Sequence, residues 1–170
     1  LCSLSYTHPL ARAYTHTNTN TGEPGCPIWS VAYIVIARNL YVSRGDDVVS
    51  ILRKHYEGFE NLMGWYDRHA DTSDGLLKLS CYGDWMSFNP TSNNGGASPF
   101  TPPPLVTAFF HVLAKKYLGE IAHALGNTTR ADFWAKNASR ASDSWHKLYY
   151  SPSAGGYAPC EQNCFNTSRN

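Results

Sequence analysis

Residues 28–70 read IWSVAYIVIARNLYVSRGDDVVSILRKHYEGFENLMGWYDRHA, and this stretch decides the fold class. Its first part, 28–44, is apolar almost all round, which predicts a helix buried on most sides. From about residue 47 to 70 the apolar residues recur in steps of three and four, which predicts a helix with one buried face. Gly45 and Asp46 lie between the two and suit a left-handed turn followed by a helix cap. The stretch therefore predicts a helical hairpin.

The face of the second helix opposite its apolar stripe is charged, and it includes Arg53, Lys54, Glu57 and Glu60. We interpret Glu57 and Glu60 as solvated surface residues because they lie opposite the apolar stripe. A pair of carboxylates acting as acid and base is the disfavoured alternative.

A second hairpin follows over residues 102–150. Three prolines at 102–104 precede a helix predicted over about 104–125, and proline is tolerated in a first helical turn. After Gly126, the apolar residues of a helix over about 129–149 again alternate in steps of three and four. Gly126 follows Gly45 by 81 positions, and Gly156 follows Gly75 by the same interval. The chain is thus predicted to repeat one hairpin unit.

Alternating buried and one-faced helices predict a double ring in which inner helices are wrapped by outer ones. Two hairpins form only part of such a ring, so we expect an all-α, incomplete ring. Residues 1–170 are interpreted as the central segment of one domain. It divides into a loop at 1–27, a hairpin at 28–70, a pocket loop at 71–101, a hairpin at 102–150 and a tail at 151–170.

The composition argues against a nucleic-acid partner and against a membrane partner. The 170 residues carry a formal net charge of +1, and no basic cluster indicates a nucleic-acid partner. No apolar run reaches the roughly 18 residues that span a bilayer, so no membrane partner is expected. The chain begins at Leu1 without a signal-peptide pattern, and we interpret it as an excised or incomplete piece.

Three Asn-x-Ser/Thr sequons indicate a glycosylated, secreted protein: Asn127, Asn137 and Asn166. The odd cysteine count fits a secreted chain in which one partner is missing; the cysteines are Cys2, Cys26, Cys81, Cys160 and Cys164. Cys160 and Cys164 could form half of a zinc site, but no second ligand pair accompanies them. Disulfide use is therefore favoured, and no metal or cofactor is expected.

The candidate site is Cys81-Tyr82-Gly83-Asp84-Trp85, within the polar loop between the hairpins. An aromatic ring covers the apolar face of a sugar, a carboxylate accepts its hydroxyl hydrogen bonds, and glycine permits close backbone approach. The alternative is structural, with Trp85 capping a helix end and Asp84 in a turn. The histidines within the predicted helices have no metal-ligand spacing, so we interpret them as ordinary surface or hydrogen-bonded residues: His55, His69, His111, His123 and His146.

Several short motifs occur in an order that is similar to one enzyme family: Pro27-Ile28-Trp29-x-x-Ala32, Leu40-Tyr41-x-x-x-Gly45-Asp46, Tyr82-Gly83-Asp84-Trp85, Thr101-Pro102-x-x-Leu105, and Gly155-Gly156-Tyr157 with Gln162. In this order the chain resembles the inverting α-L-rhamnosidases of bacterial and fungal type. The resemblance covers about residues 24–162. It implies part of an (α/α)6 six-hairpin barrel that hydrolyses terminal α-L-rhamnosides.

The resemblance also implies roles for individual residues. Trp29 and Trp85 would line the rhamnose pocket, and Asp84 would order the loop or contact the sugar. The family's general acid lies upstream of the Trp29 motif and its general base beyond the Gln162 segment. We find no counterpart of either carboxyl group here, so no catalytic residue is identified and the chain alone is expected to be inactive.

Other interpretations remain open at this point. The fold alone does not decide the substrate, so the chain could belong to another toroidal glycosidase or lyase. It could also be a catalytically inactive carbohydrate-binding or scaffold segment, or a helical repeat for protein interaction. The expected partner is a carbohydrate, a rhamnoside, and the oligomeric state is not predicted.

Overall fold

The computed structural model describes residues 27–79, 101 and 103–157. A short helix, α1 (Pro27–Ser30), leads into α2 (Ala32–Arg44), and a 3-10 turn (Gly45–Val48) joins α2 to α3 (Val49–His69). The second hairpin consists of α4 (Pro103–Ala124) and α5 (Thr128–Tyr149). After α5, β1 (Tyr150–Ser151) pairs antiparallel with β2 (Gly156–Tyr157). The predicted all-α architecture of helical hairpins is confirmed.

The turns between paired helices depend on glycine. Gly45 has φ of 59° and Gly126 has φ of 76°, a region that other residues rarely adopt. Beyond Gly126, the Asn127 side chain caps α5 by accepting a hydrogen bond from the Arg130 N–H at 3.1 Å. The predicted cap by Asp46 is wrong, because Gly45–Val48 forms a 3-10 turn and α3 begins without a side-chain cap.

Contacts along the helices establish their directions. Arg38 in the middle of α2 forms an ion pair at 2.6 Å with Glu120, which lies near the end of α4 that carries the glycine turn. At the opposite end, the Trp145 indole N–H of α5 donates to the Leu105 carbonyl of α4 at 3.2 Å. We call this opposite end the loop end: it comprises α1, the end of α3, residues 70–79, the start of α4 and the β1–β2 pair.

The core lies between the two hairpins. Its main cluster joins α2, α3, α4 and α5 through the fully buried side chains of Ile34, Leu52, Phe59, Met63, Tyr66, Leu77, Leu118, Ile121 and Trp134. A smaller cluster, formed by Leu76, Ala108, Ala141 and Tyr149, lies under the loop end. Burial of each large apolar side chain stabilises the folded state by about 1.5–3 kcal/mol. The core therefore fixes the loop end relative to both hairpins.

Two predictions about burial need correction. Helix α2 is not buried on most sides, because Ile36 and Val42 are exposed on surface that no described helix covers. Glu60 is not a solvated residue, because it is partly buried and forms an ion pair with Arg130 on α5. Helical periodicity alone places Glu60 on the polar side of α3. Helix α5 packs against that side, so Glu60 is partly covered there. Glu57 is exposed as predicted.

Candidate functional site

Trp29 is the predicted sugar-contacting residue that the structure describes. It lies in α1 at the loop end, and 56% of its surface is exposed. Its neighbours Pro27, Ser30 and Val31 are buried, so the backbone of α1 is anchored while the indole is left open. Trp29 therefore does not fill the core of the described chain. An anchored, exposed indole offers a flat apolar face to a ligand.

Asp84 and Trp85, the other two predicted pocket residues, lie outside the described residues. The start of their loop is anchored in the core. Leu76 and Leu77 are fully buried and fix the chain where it leaves α3. The structure thus shows where the loop begins, and the placement of Trp85 in the rhamnose pocket stays a prediction.

A lysine holds the turn that begins this loop. The Lys78 ammonium lies 2.6 Å from Asp74 Oδ2 and 3.2 Å from Asp71 Oδ2. Asp71 also accepts hydrogen bonds from the Ser73 hydroxyl and backbone N–H, at 2.7 and 2.9 Å. The hydrogen bonds from Ser73, followed by that from Lys78, lower the pKa of Asp71 to about 2. The carboxylates of both aspartates therefore form ion pairs or hydrogen bonds that stabilise the turn.

A largely buried polar network joins the end of α3 to α4, and no sequence pattern predicts it. Asp67 Oδ1 lies 3.0 Å from His111 Nε2 and 2.9 Å from Lys115 Nζ. His111 is fully buried and Lys115 nearly so. Their i, i+4 spacing on α4 places both side chains on one face, but nothing in the sequence pairs them with a carboxylate on another helix, 44 residues before His111.

The protonation states of this network follow from its burial. Burial raises the pKa of Asp67, but the hydrogen bonds from His111 and Lys115 outweigh it and lower the pKa overall. Burial lowers the pKa of His111, an effect that its bond to Asp67 opposes. Next to the network, burial raises the pKa of Tyr66 to about 12, with a small opposing effect of the Ser30 hydroxyl. Asp67 is thus held as a carboxylate that balances the Lys115 charge.

These pKa directions bear on catalysis. A glycosidase acid must hold its proton near neutral pH, which requires a raised carboxyl pKa. Burial raises the pKa of Glu60, but hydrogen bonds from Arg130, Trp134 and Tyr56 lower it overall. Glu60, Asp67 and Asp71 therefore all have lowered pKa values. None of these three carboxyl groups suits the role of a general acid.

The described part of the chain contains no group of three or more His, Cys, Asp or Glu side chains that could hold a metal ion. The predicted cysteine pairings fall on residues 2, 26, 81, 160 and 164, all outside the described ranges. Among the helices within those ranges, none has the length and apolar character needed to cross a membrane.

Two of the three sequons are described. Asn127 is exposed, and because its Oδ1 atom caps α5, its Nδ2 atom remains available. Asn137 is half-buried, and its Nδ2 atom donates to the Phe133 carbonyl at 2.8 Å. Asn166 lies outside the described residues. Glycosylation at all three positions stays a prediction.

A groove of about 800 Å³ runs along α4 and α5. Its wall is mainly apolar or small, with Glu120 and Asp132 as its carboxylates. Glu120 is already paired with Arg38. Because Trp29 does not line it, the groove is separate from the predicted sugar pocket.

Comparison with known proteins identifies this arrangement of hairpins. Residues 11–165 match the bacterial α-L-rhamnosidase six-hairpin glycosidase domain. The chain belongs to this family. Since the match extends over most of the chain, the two hairpins, the loop that joins them and the exposed Trp29 are all parts of a rhamnosidase-family domain.

A solved structure supports the assignment. An α-L-rhamnosidase from Dictyoglumus thermophilum is 27% identical in sequence and superposes with a TM-score of 0.60. The match covers 75% of this chain and 13% of that enzyme, so this rhamnosidase-family chain spans a small part of its relative's length. No curated protein matches the chain. The glycoside hydrolase family and the fold are thereby established, and the activity of the whole protein is a separate question.

Proposed function

We propose that the full-length protein removes terminal α-L-rhamnose from rhamnosides with inversion, and that this chain contributes aromatic side chains to the sugar pocket. The observation that carries the proposal is the exposed Trp29 indole, anchored by buried neighbours at the loop end of a rhamnosidase-family domain. The C–H groups on one face of a pyranose ring would pack on this indole.

Asp84 and Trp85 complete the proposed pocket. Their loop joins α3 to α4 and therefore begins and ends at the same end of the helices as Trp29. Trp85 would supply a second aromatic face, and Asp84 would accept sugar hydroxyl groups or order the loop. The ion pairs of Lys78 with Asp71 and Asp74 support this role by fixing the first turn of the connection.

The acid and base would come from other parts of the protein. Inversion requires two carboxyl groups about 6.5–9.5 Å apart, one of which must carry a proton at the working pH. The lowered pKa values of Glu60, Asp67 and Asp71 argue against each of them as the general acid, and the family resemblance puts the general base beyond the Gln162 segment. We accordingly expect the 170-residue chain to be inactive by itself.

We further propose that the protein is secreted and glycosylated. Asn127 supports this proposal because it is exposed and its Nδ2 atom is not needed for the helix cap. Peptide mapping of protein from a eukaryotic secretory host, with and without a glycosidase that removes N-glycans, tests it. A glycan at Asn127 is expected, and unmodified Asn127, Asn137 and Asn166 would oppose the proposal.

The proposed reaction is tested by identifying which anomer of rhamnose is released first. The full-length protein is mixed with 4-nitrophenyl α-L-rhamnoside and followed by proton NMR. Inversion predicts that β-L-rhamnose appears before mutarotation produces the α form. Initial release of the α form would contradict inversion. A protein that binds rhamnose without releasing nitrophenol would instead be an inactive carbohydrate-binding member of the family.

A further inference from the structure

An exposed cluster of aromatic rings that does not include Trp29 lies at the loop end. It consists of Trp145 and His146 from the end of α5, Tyr150 of β1 and Tyr157 of β2, and we call these four residues the aromatic platform. Tyr157 is 51% exposed and Tyr150 is 39% exposed. Two tyrosines and a histidine thus present rings to solvent at the end of the domain where the pocket loop begins.

The strand pair sets the positions of the two tyrosines. Tyr150 and Tyr157 are directly opposed across β1 and β2, so their side chains project from the same face. Their ring centroids are 5.5 Å apart. His146 stacks on Tyr150 with a centroid separation of 4.7 Å, and Trp145 lies 4.4 Å from Tyr157. The four rings form one continuous surface.

Hydrogen bonds hold the platform in place. The Tyr157 hydroxyl lies 3.0 Å from His146 Nδ1, and Trp145 is tied to the Leu105 carbonyl of α4. Beneath the platform, Tyr149 is fully buried in the smaller core cluster. The rings are therefore supported from α4 and α5, and they need little further ordering when a ligand arrives.

The chemistry of the platform matches a neutral sugar. Its four side chains include no carboxylate or ammonium group, so an ionic ligand would find no fixed opposite charge. Flat rings suit the C–H face of a pyranose, while the tyrosine hydroxyls at their edges suit sugar hydroxyl groups. Tyr150 is an exposed residue, so its hydroxyl is open to such a contact.

We propose that the aromatic platform of Trp145, His146, Tyr150 and Tyr157 is a second carbohydrate-binding site, which holds a neutral pyranose unit of a polymeric rhamnoside. The choice of rhamnose-containing polymer rests on the proposed function. The platform itself rests on ring geometry and exposure. Because it lies at the same end of the helices as Trp29, it would hold a second part of a long substrate without taking part in bond cleavage.

Affinity electrophoresis of the full-length protein through gels containing a soluble rhamnan tests the proposal. The wild type should be retarded. Tyr150→Leu and Tyr157→Leu keep apolar bulk in the strands but remove the flat ring, and each should weaken the apparent affinity by about fivefold. Phe133→Leu is the matched control, since Phe133 is an exposed aromatic residue near the start of α5, and it should migrate as the wild type does. Equal retardation of all four proteins would overturn the proposal.

A second measurement needs no substitution and covers the case in which a leucine variant fails to fold. Tetranitromethane modifies exposed tyrosine rings, and peptide mapping locates the modified residues. Rhamnan should protect Tyr150 and Tyr157 of the wild type from nitration. Unchanged nitration, or complete lack of reaction at both residues without rhamnan, would overturn the platform. Release of rhamnose from a nitrophenyl rhamnoside is measured separately, so its absence would count against the proposed function and not against the platform.

Discussion

The guanidinium group of Arg130 on α5 forms a two-point ion pair with the carboxylate of Glu60 on α3. Arg130 Nε donates to Glu60 Oε1 at 3.0 Å, and a second nitrogen donates to Oε2. The same carboxylate accepts the Trp134 indole N–H at 2.9 Å and the Tyr56 hydroxyl. One partly buried carboxylate therefore joins the two hairpins through Arg130 and Trp134, while Tyr56 holds it from its own helix.

Glu60→Gln should lower the free energy of unfolding of the full-length protein by about 1–3 kcal/mol, because charged hydrogen bonds to a partly buried group are lost. The measurement is urea denaturation followed by circular dichroism. Glu57→Gln is the control, since Glu57 is exposed on the same helix and should change stability by no more than about 0.5 kcal/mol. Equal effects of the two substitutions would show that the ion pair does not hold the hairpins together.

Asp67→Asn should destabilise the protein by about 2–3 kcal/mol, since Lys115 would keep a buried charge without its partner. The loss of unfolding free energy should be smaller than for a fully buried ion pair, because the Asp67 side chain is 34% exposed. Adding Lys115→Met to Asp67→Asn removes the orphaned charge and should restore at least about 1 kcal/mol. Additive losses in the double variant would contradict this coupling.

Two glycines within α3 give a matched pair. A side chain at Gly64 would meet only Arg68 Nη1, at 3.5 Å, so Gly64→Ala should stabilise the protein by about 0.5–1 kcal/mol. At Gly58 an added Cβ would lie 2.9 Å from the Tyr33 hydroxyl, which itself is 2.9 Å from His55 Nδ1. Gly58→Ala should therefore give no gain or a loss. Thermal unfolding compares them, and equal stabilisation would show that Tyr33 moves aside freely.

The turn at the start of the pocket loop should contribute stability that depends on pH. The pKa of Asp71 is lowered from 3.8 to about 2 in the folded protein. A lowered carboxyl pKa stabilises the fold fully above about pH 4, and this contribution is lost as the pH falls toward 2. The side chain is 36% exposed, so the effect should stay below about 1 kcal/mol.

Asp71→Asn removes this contribution and isolates it from other groups. The difference in unfolding free energy between wild type and variant should be largest near pH 6 and should shrink between pH 4 and pH 2. Urea titrations at several pH values measure it. A difference that stays constant or grows on acidification would contradict the assigned pKa shift.

Much of the fold could be predicted from the sequence because helical periodicity and glycine turns are local signals. The steps of three and four along α3 and α5, together with Gly45 and Gly126, give both hairpins. The periodicity of one helix does not show which other helix packs against each of its faces. Glu60 was misjudged for this reason, since Arg130 reaches it from 70 residues away.

The site was predictable to a smaller extent. Trp29 was found through family motifs, and the structure adds its exposure and anchoring. Asp67, His111 and Lys115 were missed because a buried ion pair between distant residues leaves no periodic trace. Tyr150 and Tyr157 were missed as a surface because two-residue strands are too short to show an alternating pattern in the sequence.

The most direct test of the central claim is the kcat/KM of the full-length protein for 4-nitrophenyl α-L-rhamnoside, compared among the wild type, Trp29→Ala and Phe133→Ala. Both substitutions remove an exposed aromatic side chain, but only Trp29 lies at the loop end. We expect a loss of at least about tenfold for Trp29→Ala and little change for Phe133→Ala. Wild-type activity in Trp29→Ala would contradict the assignment of Trp29 to the rhamnose pocket.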